Sequence, residues 1–229
     1  MVSIPTGQAV LAFESSADQA SAAIIADGVA CQHLHAARHG HAALITELAR
    51  AALEEAGLAA REVTHVAAGR GPGSFTGIRV ALAAAKGFAL AVGARGLGVS
   101  CLAAKAYAAR RARPDLGEMP IVATADTRRG SFFCQVFDGA GPVDDSIIEL
   151  DGETPADIPN SWSGAVVIGA GAEAIAAATG GTMACIADLP ALDALQVARL
   201  AAQRMQAGTV PEPLTPLYVA PAFLGPPAG

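Results

Sequence analysis

The order of hydrophobic segments in the first half of the chain restricts its possible folds more than any other feature. Three short runs of strand-forming residues come first, over residues 8–14, 19–26 and 29–36. The Asp27-Gly28 pair between the second and third runs is a tight-turn signal, so hairpin-linked strands are expected here. Apolar residues then recur at helical spacing over residues 41–58, and Gly57 ends this first helix.

Strands and helices alternate after this point. The sequence predicts a strand, a helix, a strand and a helix over residues 63–68, 74–92, 96–99 and 102–113. The resulting order βββαβαβα is that of the ribonuclease-H-like unit found in actin-like and sugar-kinase ATPases. We therefore expect an α/β protein of the actin-like and sugar-kinase-like ATPase superfold, with two ribonuclease-H-like lobes.

A boundary between the lobes is expected at residues 113–119, where composition and helical pattern both break. Residues 1–113 would form the N-terminal lobe, and residues 114–229 a smaller, degenerate C-terminal lobe with an extended tail. Strands and one long helix are predicted in this second lobe, over residues 120–124, 131–137, 147–150, 165–168 and 192–207. The second lobe resembles a degraded copy of the first, although no sequence repeat is visible.

The composition is that of a compact folded chain. Of its 229 residues, 52% are hydrophobic and 16% are charged, which excludes a disordered polar chain. The four cysteines lie far apart without a CxxC pair, so neither a disulfide framework nor a zinc ribbon is expected. The net charge of −6 argues against a chain that binds nucleic acid by itself, because neutralising phosphates requires a basic surface.

The sequence predicts no membrane span. The longest apolar stretch, residues 78–94, is interrupted by Arg79 and Lys86. The N-terminal MVSIPTGQ has neither the basic region nor the apolar region of a signal peptide. We therefore expect a cytoplasmic protein with reduced thiols.

The segment GRGPGSFTGIRVALAAAKGFAL, residues 69–90, combines a strand end, a glycine turn and a helix start. Gly71 and Gly73 permit positive φ angles and a close backbone approach. Ser74 or Thr76 can cap the helix, whose free N–H groups could then face an anion. The segment lacks the lysine of a Walker A loop and the spacing of a nucleophile elbow. A structural turn and an anion site both remain open.

This segment resembles the signature of the bacterial TsaB (YeaZ) family, which acts in the synthesis of tRNA threonylcarbamoyladenosine. Three further segments are similar to family motifs, in the same order along the chain. They are HGHAALITEL at 39–48, TADTRRGSFFCQVF at 124–137 and PLYVAPAF at 216–223. The resemblance extends over most of the chain and implies the actin/sugar-kinase superfold.

The resemblance also implies a function. The chain would be a non-catalytic scaffold or activator subunit that binds the catalytic protein TsaD, and would reach the small ATPase TsaE through the complex. That complex transfers a threonylcarbamoyl group to the adenosine next to the anticodon in tRNAs that read ANN codons. The chain itself would contact tRNA only indirectly. We expect no catalytic residue and no cofactor in it, with ATP or ADP at the partner interface as the alternative.

One position departs from the family pattern. The first strand usually ends in an Asp-Thr-type motif, but here it ends in Glu14-Ser15-Ser16. In the ATPase superfold that aspartate lies near the nucleotide phosphates and the metal. Glu14 keeps the charge one methylene further out, so a metal role stays open and nucleotide binding is less well supported.

The second predicted helix is apolar on two sides. One stripe, expected to face the sheet, consists of Phe75, Ile78, Leu82, Ala85 and Ala89. The other stripe is small and smooth, and consists of Val80, Ala83, Ala84, Gly87 and Ala91. Such a helix is either fully buried or pairs with another surface.

We expect the small-residue stripe to bind a partner. Leu44, Leu48 and Ala51 of the first helix would complete an apolar patch with it. The patch would form a homodimer when the chain is alone and would bind TsaD in the complex. Arg79 on the same helix would contact an acidic partner or an anion, or remain a solvated charge.

Several other residues invite a chemical role. Four histidines fall between His33 and His41, but no complete set of metal ligands lies nearby, so we expect a solvated strand end and no metal. Asp126 and Arg128 form either an acid/base pair or, as we expect, a hairpin turn with a surface ion pair. Trp162 lies in a Ser/Gly-rich loop that the sequence does not explain.

Two other functions remain possible at this point. The first is a stand-alone, metalloprotease-like glycoprotease, although the sequence has neither a visible metal triad nor a Ser-His-Asp order. The second is a small-molecule kinase of the same superfold, for which the chain is short.

Overall fold

The computed structural model describes residues 4–36, 40–144, 146–153 and 157–219. The N-terminal part forms a five-stranded sheet of order β3-β2-β1-β4-β5. Its strands are β1 (Ala9–Ala17), β2 (Gln19–Ala26), β3 (Val29–Ala36), β4 (His65–Gly69) and β5 (Arg95–Val99). The first three strands pair antiparallel, and β4 and β5 extend the sheet in parallel with β1.

The C-terminal part contains a second five-stranded sheet, of order β10-β9-β6-β7-β8. Its strands are β6 (Ile121–Asp126), β7 (Ser131–Phe137), β8 (Ile148–Asp151), β9 (Val166–Gly169) and β10 (Ala184–Ile186). In this sheet β6 has the central place that β1 has in the first. On one side β7 pairs antiparallel with β6, and β8 pairs antiparallel with β7. On the other side β9 pairs in parallel with β6, and β10 pairs in parallel with β9, so the pairing pattern of the first sheet is repeated. The predicted α/β architecture is confirmed, and the repeat that the sequence hides is present in the topology.

Five α-helices connect and cover the sheets in the described part of the chain. They are α1 (His41–Glu55), α2 (Phe75–Val92), α3 (Cys101–Ala112), α4 (Ala172–Ala178) and α5 (Ala194–Gln206). Helices α1 and α2 pack against each other and against the first sheet. Helix α4 packs against β9 and β10.

Helices α3 and α5 each pack on the sheet of the other half of the chain. Helix α3 follows the first sheet in sequence but packs on strands of the second. Helix α5 follows the second sheet but packs on the first, on the face opposite α2. Phe13 of β1 faces Phe88 of α2, so α2 lies on the Phe13 face of the sheet. Ser21 pairs with Glu14, the residue after Phe13, and therefore lies on the opposite face. There the Ser21 hydroxyl accepts a hydrogen bond from Ala194 N of α5 at 2.9 Å. The predicted lobe boundary at residue 113 stays a prediction. Both helices pack on the sheet that lies on the other side of this boundary in the sequence.

The structure corrects several sequence predictions. Strand β1 continues past residue 14 to Ala17, because its polar end is buried. The short strand β10 was not predicted. Phe75 does not face the sheet and is 49% exposed, because it lies in the first turn of α2. Trp162, unexplained by the sequence, is buried in the apolar core of the second sheet.

Helix α2 is long and apolar enough to span a membrane by length and composition alone. It packs on the first sheet through Gly77, Ile78, Ala81, Leu82, Ala85 and Ala89. Both Arg79 and Lys86 are exposed. A core helix of a globular protein has these same properties.

Candidate functional site

The residues predicted to bind a partner lie on two adjacent helices, α1 and α2. Ala83 and Gly87 of α2 are exposed, and Val80 and Ala84 are half-buried. On the adjacent helix, three residues are half-buried: Leu44, Leu48 and Ala51. We call these seven residues the α1–α2 face.

Leu90 extends the α1–α2 face and was missed by the sequence analysis. Its side chain is 86% exposed, the largest exposed fraction among the exposed large hydrophobic residues in the described part of the chain. It lies three residues after Gly87 and seven after Ala83, so all three share one side of the helix. The helical spacing was visible in the sequence, but only the structure shows that Ala83, Gly87 and Leu90 stay exposed in the described part of the chain.

An aromatic and cationic cluster lies at the N-terminal end of α2. The Arg79 guanidinium lies 3.8 Å from the centre of the Phe75 ring. Arg79 Nη2 also donates a hydrogen bond to the Tyr218 hydroxyl at 3.1 Å, and the Phe75 and Tyr218 ring centres are 6.0 Å apart. Arg79 is therefore not a freely solvated charge. It links the C-terminal segment to α2 through Tyr218. Residues 220–223, the second half of the PLYVAPAF motif, lie outside the described residues.

The glycine turn before α2 has the predicted conformation. Gly71 and Gly73 adopt φ angles of 101° and 157°. Ser74 is the N-cap, since its hydroxyl accepts a hydrogen bond from Gly77 N at 3.3 Å, while Thr76 is exposed. Ser74 N donates to Ser16 O at 2.8 Å, so one N–H group at the helix start already has a partner.

The helix start also packs closely on the end of β1. A Cβ atom on Gly77 would lie 1.7 Å from Ser15 O, and one on Gly73 would lie 2.9 Å from Ser16 Cβ. The Ser15 hydroxyl donates to Gly77 O at 2.7 Å. These contacts favour the structural interpretation of the turn. Its role as an anion site stays an untested prediction.

Glu14, the residue that departs from the family pattern, is fully buried in the second half of β1. Its Oε1 accepts a hydrogen bond from Ser16 N at 2.5 Å, and its Oε2 accepts a longer one from the Cys101 thiol at 3.6 Å. A Cβ on Gly69 would lie 1.7 Å from Oε2, so a side chain there would displace this carboxyl from its position. Burial raises the pKa of Glu14 above its ordinary value.

Lys105 of α3 lies close enough to Glu14 to interact with its charge, and it also contacts the second sheet. Its ammonium donates a hydrogen bond to Thr124 O of β6 at 2.7 Å. Burial lowers the pKa of Lys105, and the nearby Glu14 and Asp126 oppose that shift. Burial likewise raises the pKa of the Cys101 thiol, which disfavours a thiolate there.

The β6–β7 hairpin brings Asp126 and Arg128 together, and links them to the first sheet. Arg128 N donates to Asp126 Oδ1 at 2.7 Å, and Arg128 Nη2 lies 2.8 Å from Asp18 Oδ1 in the β1–β2 turn. Both carboxylates and the guanidinium are about half exposed. The geometry is that of a hairpin turn with surface ion pairs, which favours this interpretation over an acid/base pair.

The histidine segment is only partly described. His33 Nε2 lies 2.8 Å from Glu55 Oε2 of α1, and His35 is exposed. His39 and the side chain of His41 lie outside the described residues. Among the described residues, no three histidine, cysteine or acidic side chains come together in a way that could hold a metal ion.

Comparison with known proteins gives the family. The family model described as TsaD: tRNA N6-adenosine threonylcarbamoyltransferase matches residues 27–158, more than half of the chain. The tRNA threonylcarbamoyladenosine biosynthesis protein TsaB of Escherichia coli (strain K12) is 31% identical over 124 residues, covering 54% of this chain and 52% of that protein. The protein of the same name from Haemophilus influenzae is 34% identical over 100 residues, covering 44% and 42%. The chain thus matches about half the length of the Escherichia coli protein and somewhat less than half of the Haemophilus influenzae protein.

The structural likeness extends over the whole of a related chain. YeaZ from Pseudomonas aeruginosa aligns with a TM-score of 0.73 and 28% identity, covering 92% of this chain and 99% of that one. This likeness confirms the predicted actin-like, ribonuclease-H-like ATPase fold. The chain therefore belongs to the family that the TsaD model describes, and it is similar in sequence and structure to the TsaB and YeaZ proteins named above.

Proposed function

We propose that this chain is a non-catalytic subunit that binds TsaD in the biosynthesis of tRNA threonylcarbamoyladenosine. Its similarity to the TsaB proteins of Escherichia coli and Haemophilus influenzae, which are named for this biosynthesis, supports the pathway. The complex would act in the cytoplasm on the adenosine beside the anticodon of tRNAs that read ANN codons. This chain would contact TsaD directly, and TsaE and tRNA only indirectly, through the complex. No observation favours the glycoprotease or small-molecule kinase alternatives.

The exposed α1–α2 face is the observation that carries the proposal. Leu90, Ala83 and Gly87 present an apolar helix side to water, and Leu44 and Leu48 are half-buried on the adjacent helix α1. Burying a fully exposed leucine contributes about 1.5–3 kcal/mol, so covering Leu90 alone favours association. Alanine and glycine let another helix approach closely.

The family match also supports the choice of partner. Since a TsaD model matches this chain, TsaD contains a region of related sequence and can present a similar helix pair. A two-fold homodimer would place the α1–α2 face of one copy against the same face of another. TsaD would replace one copy in the complex. We expect the subunit to bind no cofactor. The alternative is that ATP or ADP binds at the interface with TsaD.

Ala83→Glu tests the binding face with little risk to the fold. The side chain is exposed in the free chain, so the carboxylate stays solvated until a partner covers it. Burying an unpaired charge at the interface costs several kcal/mol, so we expect at least a hundredfold loss in affinity for TsaD from the same organism. Isothermal titration calorimetry measures this loss, and analytical ultracentrifugation measures the loss of the homodimer.

Ala177→Glu is the matched control. Ala177 is an exposed alanine on helix α4 of the second sheet, and α4 is not part of the α1–α2 face. This variant should dimerise and bind TsaD as the wild type does. Wild-type affinity of Ala83→Glu for TsaD would contradict the assignment of this face, and the cluster around Tyr218 would then be tested next.

The non-catalytic role has a separate test. We expect the isolated chain neither to hydrolyse ATP nor to modify tRNA, because it lacks a lysine-bearing phosphate loop and its Glu14 carboxyl is buried. Addition of the chain to TsaD, TsaE, substrate tRNA and threonylcarbamoyl-adenylate, the activated donor of the transferred group, should restore modification. ATPase activity of the chain alone at ten times background, abolished by Glu14→Ala, would overturn this part of the proposal.

A further inference from the structure

The exposed side of α2 carries two positive charges. Arg79, Ala83, Lys86 and Leu90 follow one another along the helix at intervals of four, three and four residues, and all of them are exposed. Residues at these spacings lie on one side of a helix, so cationic and apolar side chains alternate along this side of α2. The rise of the helix places the Cα atoms of the two cations about 10 Å apart along its axis.

Helix α2 offers neither cation a carboxylate. Its eighteen residues include no aspartate and no glutamate. An ion pair within a helix forms between residues three or four positions apart, and at those distances from Arg79 and Lys86 the helix has only apolar side chains or threonine. The chain as a whole carries a net charge of −6, so a helix with two cations and no acid is not a consequence of composition.

The elements around α2 do not supply a carboxylate either. Within the described ranges of the chain, no salt bridge involves Arg79 or Lys86. The adjacent helix α1 pairs its own charges, because Arg50 contacts Glu47 at 3.0 Å and also contacts Glu54. The positive charge of α2 is therefore left for a partner.

Arg79 is held in position before any partner binds. Its guanidinium lies 3.8 Å from the centre of the Phe75 ring, and its Nε and Nη2 both donate to the Tyr218 hydroxyl, at 3.3 and 3.1 Å. A guanidinium that is already fixed loses little side-chain entropy on binding. The Phe75 and Tyr218 side chains are themselves 49% and 56% exposed, and aromatic residues and arginine are the types most enriched at the centres of protein interfaces.

We propose that this side of α2 binds a helix of TsaD that presents two carboxylates about 10 Å apart, one to Arg79 and one to Lys86. The inference rests on the proposed function and names the chemistry of the partner's surface. Ala83 and Leu90 pack on apolar side chains of the same partner helix. The two ion pairs determine which residues of the two helices lie opposite each other.

The same charges select TsaD over a second copy of the chain. Through its own α2, a second copy presents only further cations. The carboxylates of Glu47 and Glu54 on its α1 are already bonded to Arg50. Like charges that face each other across an interface raise its free energy, whereas a partner with opposite charges is bound faster and more tightly. The homodimer is therefore the weaker of the two assemblies.

Lys86→Glu separates the two assemblies. The side chain is exposed, so the variant should fold as the wild type does, and circular dichroism checks this. We expect its affinity for TsaD from the same organism to fall about tenfold or more. Its homodimer should become tighter, because the new carboxylate of each copy can contact a cation on α2 of the other. Isothermal titration calorimetry measures the first change and analytical ultracentrifugation the second.

Salt provides an independent measurement. Raising sodium chloride from about 50 mM to about 500 mM screens the ion pairs and should weaken the binding of TsaD to the wild-type chain. The Lys86→Gln variant should depend less on salt, since one ion pair is absent.

Two control variants accompany these measurements. Lys86→Arg keeps the charge and should bind TsaD as the wild type does. Arg111→Glu makes the same change of net charge at an exposed site on α3, a helix that packs on the second sheet. This variant should also keep wild-type affinity for TsaD.

The proposal is overturned if Lys86→Glu binds TsaD within about twofold of the wild type, or if Arg111→Glu loses as much affinity. It is also overturned if Lys86→Glu weakens both assemblies together. The TsaD measurement alone decides where the homodimer is too weak to detect. If Ala83→Glu abolishes binding and Lys86→Glu leaves it unchanged, the proposed function stands and the selection by charge does not. A wild-type chain without affinity for TsaD would contradict the proposed function itself.

Discussion

A carboxyl at the end of a strand illustrates how much one residue depends on its surroundings. Glu14 occupies a position where the family pattern has an aspartate, and the longer side chain still fits because Gly69 beside it has no Cβ. The carboxyl is closed off from water by β4 and α3, with hydrogen bonds from Ser16 and Cys101. In this environment the charged form is disfavoured, as the raised pKa of Glu14 indicates.

Stability should therefore depend on pH through Glu14. Its pKa in the folded chain lies above the ordinary 4.5, so the folded state keeps the proton where the unfolded state has lost it. The free energy of unfolding then falls as pH rises from 4.5 toward the folded pKa, by up to about 1.4 kcal/mol per pH unit. Glu14→Gln removes this fall. Urea unfolding at a series of pH values measures it, and parallel curves for wild type and variant would contradict it. Glu173→Gln, at an exposed site, is the control.

Two glycines on α2 make a matched pair for a test of packing. A Cβ on Gly77 would lie 1.7 Å from Ser15 O, a backbone atom, whereas a Cβ on Gly87 would have nothing within 4 Å. We expect Gly77→Ala to destabilise the chain by about 2 kcal/mol or more, although alanine favours helix. Gly87→Ala should stabilise it by about 0.5–1 kcal/mol. Urea unfolding at low protein concentration gives both values. Equal effects would show that the turn does not pack on β1 as described.

The residues of the site differ in how far the sequence revealed them. Positive φ at Gly71 and Gly73 and capping by Ser74 were predictable, because local turn chemistry determines them. Phe75 was misplaced, since helical periodicity does not tell where the sheet ends.

At the scale of the elements, turn signals were more informative than apolar patterns. Strands β2 and β3 have their predicted bounds, because Asp27-Gly28 fixes where one ends and the next begins. Strand β10 was missed because three residues are too short for any alternation to show. The second apolar side of α2 was recognised, but its exposure depends on which elements cover it, and periodicity does not contain that information.

The start of α5 offers a test of one element. Asp193 caps the helix, accepting a hydrogen bond from Gln196 N at 3.1 Å, while Gln196 accepts one from Asp193 N. Asp193→Ala should cost about 1 kcal/mol of stability, because the Gln196 N–H at the helix start loses its side-chain acceptor. Thermal unfolding followed by circular dichroism measures the loss. Asp188→Ala, in the exposed loop before α5, should change stability by less than about 0.5 kcal/mol.

At the scale of the whole molecule, the two halves of the chain exchange helices. Helix α3 comes from the first half and packs on the second sheet, and α5 comes from the second half and packs on the first. One apolar core therefore includes residues from both sheets, such as Leu11 of β1, Ile121 of β6 and Val197 of α5. The sequence indicated a boundary near residue 113 because composition changes there. It does not show which sheet a helix covers, since that depends on contacts between distant segments.

This exchange predicts that the first half does not fold alone. A fragment of residues 1–113 would lack α5 and would expose the sheet face that α5 buries, including groups beside the Ser21 hydroxyl that accepts from Ala194 N. We expect this fragment to bind a hydrophobic dye and to show no cooperative thermal transition. Joining residues 188–208 to it through a flexible Gly/Ser linker restores α5 and should restore a cooperative transition, with less dye bound. A fragment of residues 1–113 that unfolds cooperatively at the temperature of the full chain would contradict the dependence of the first sheet on α5.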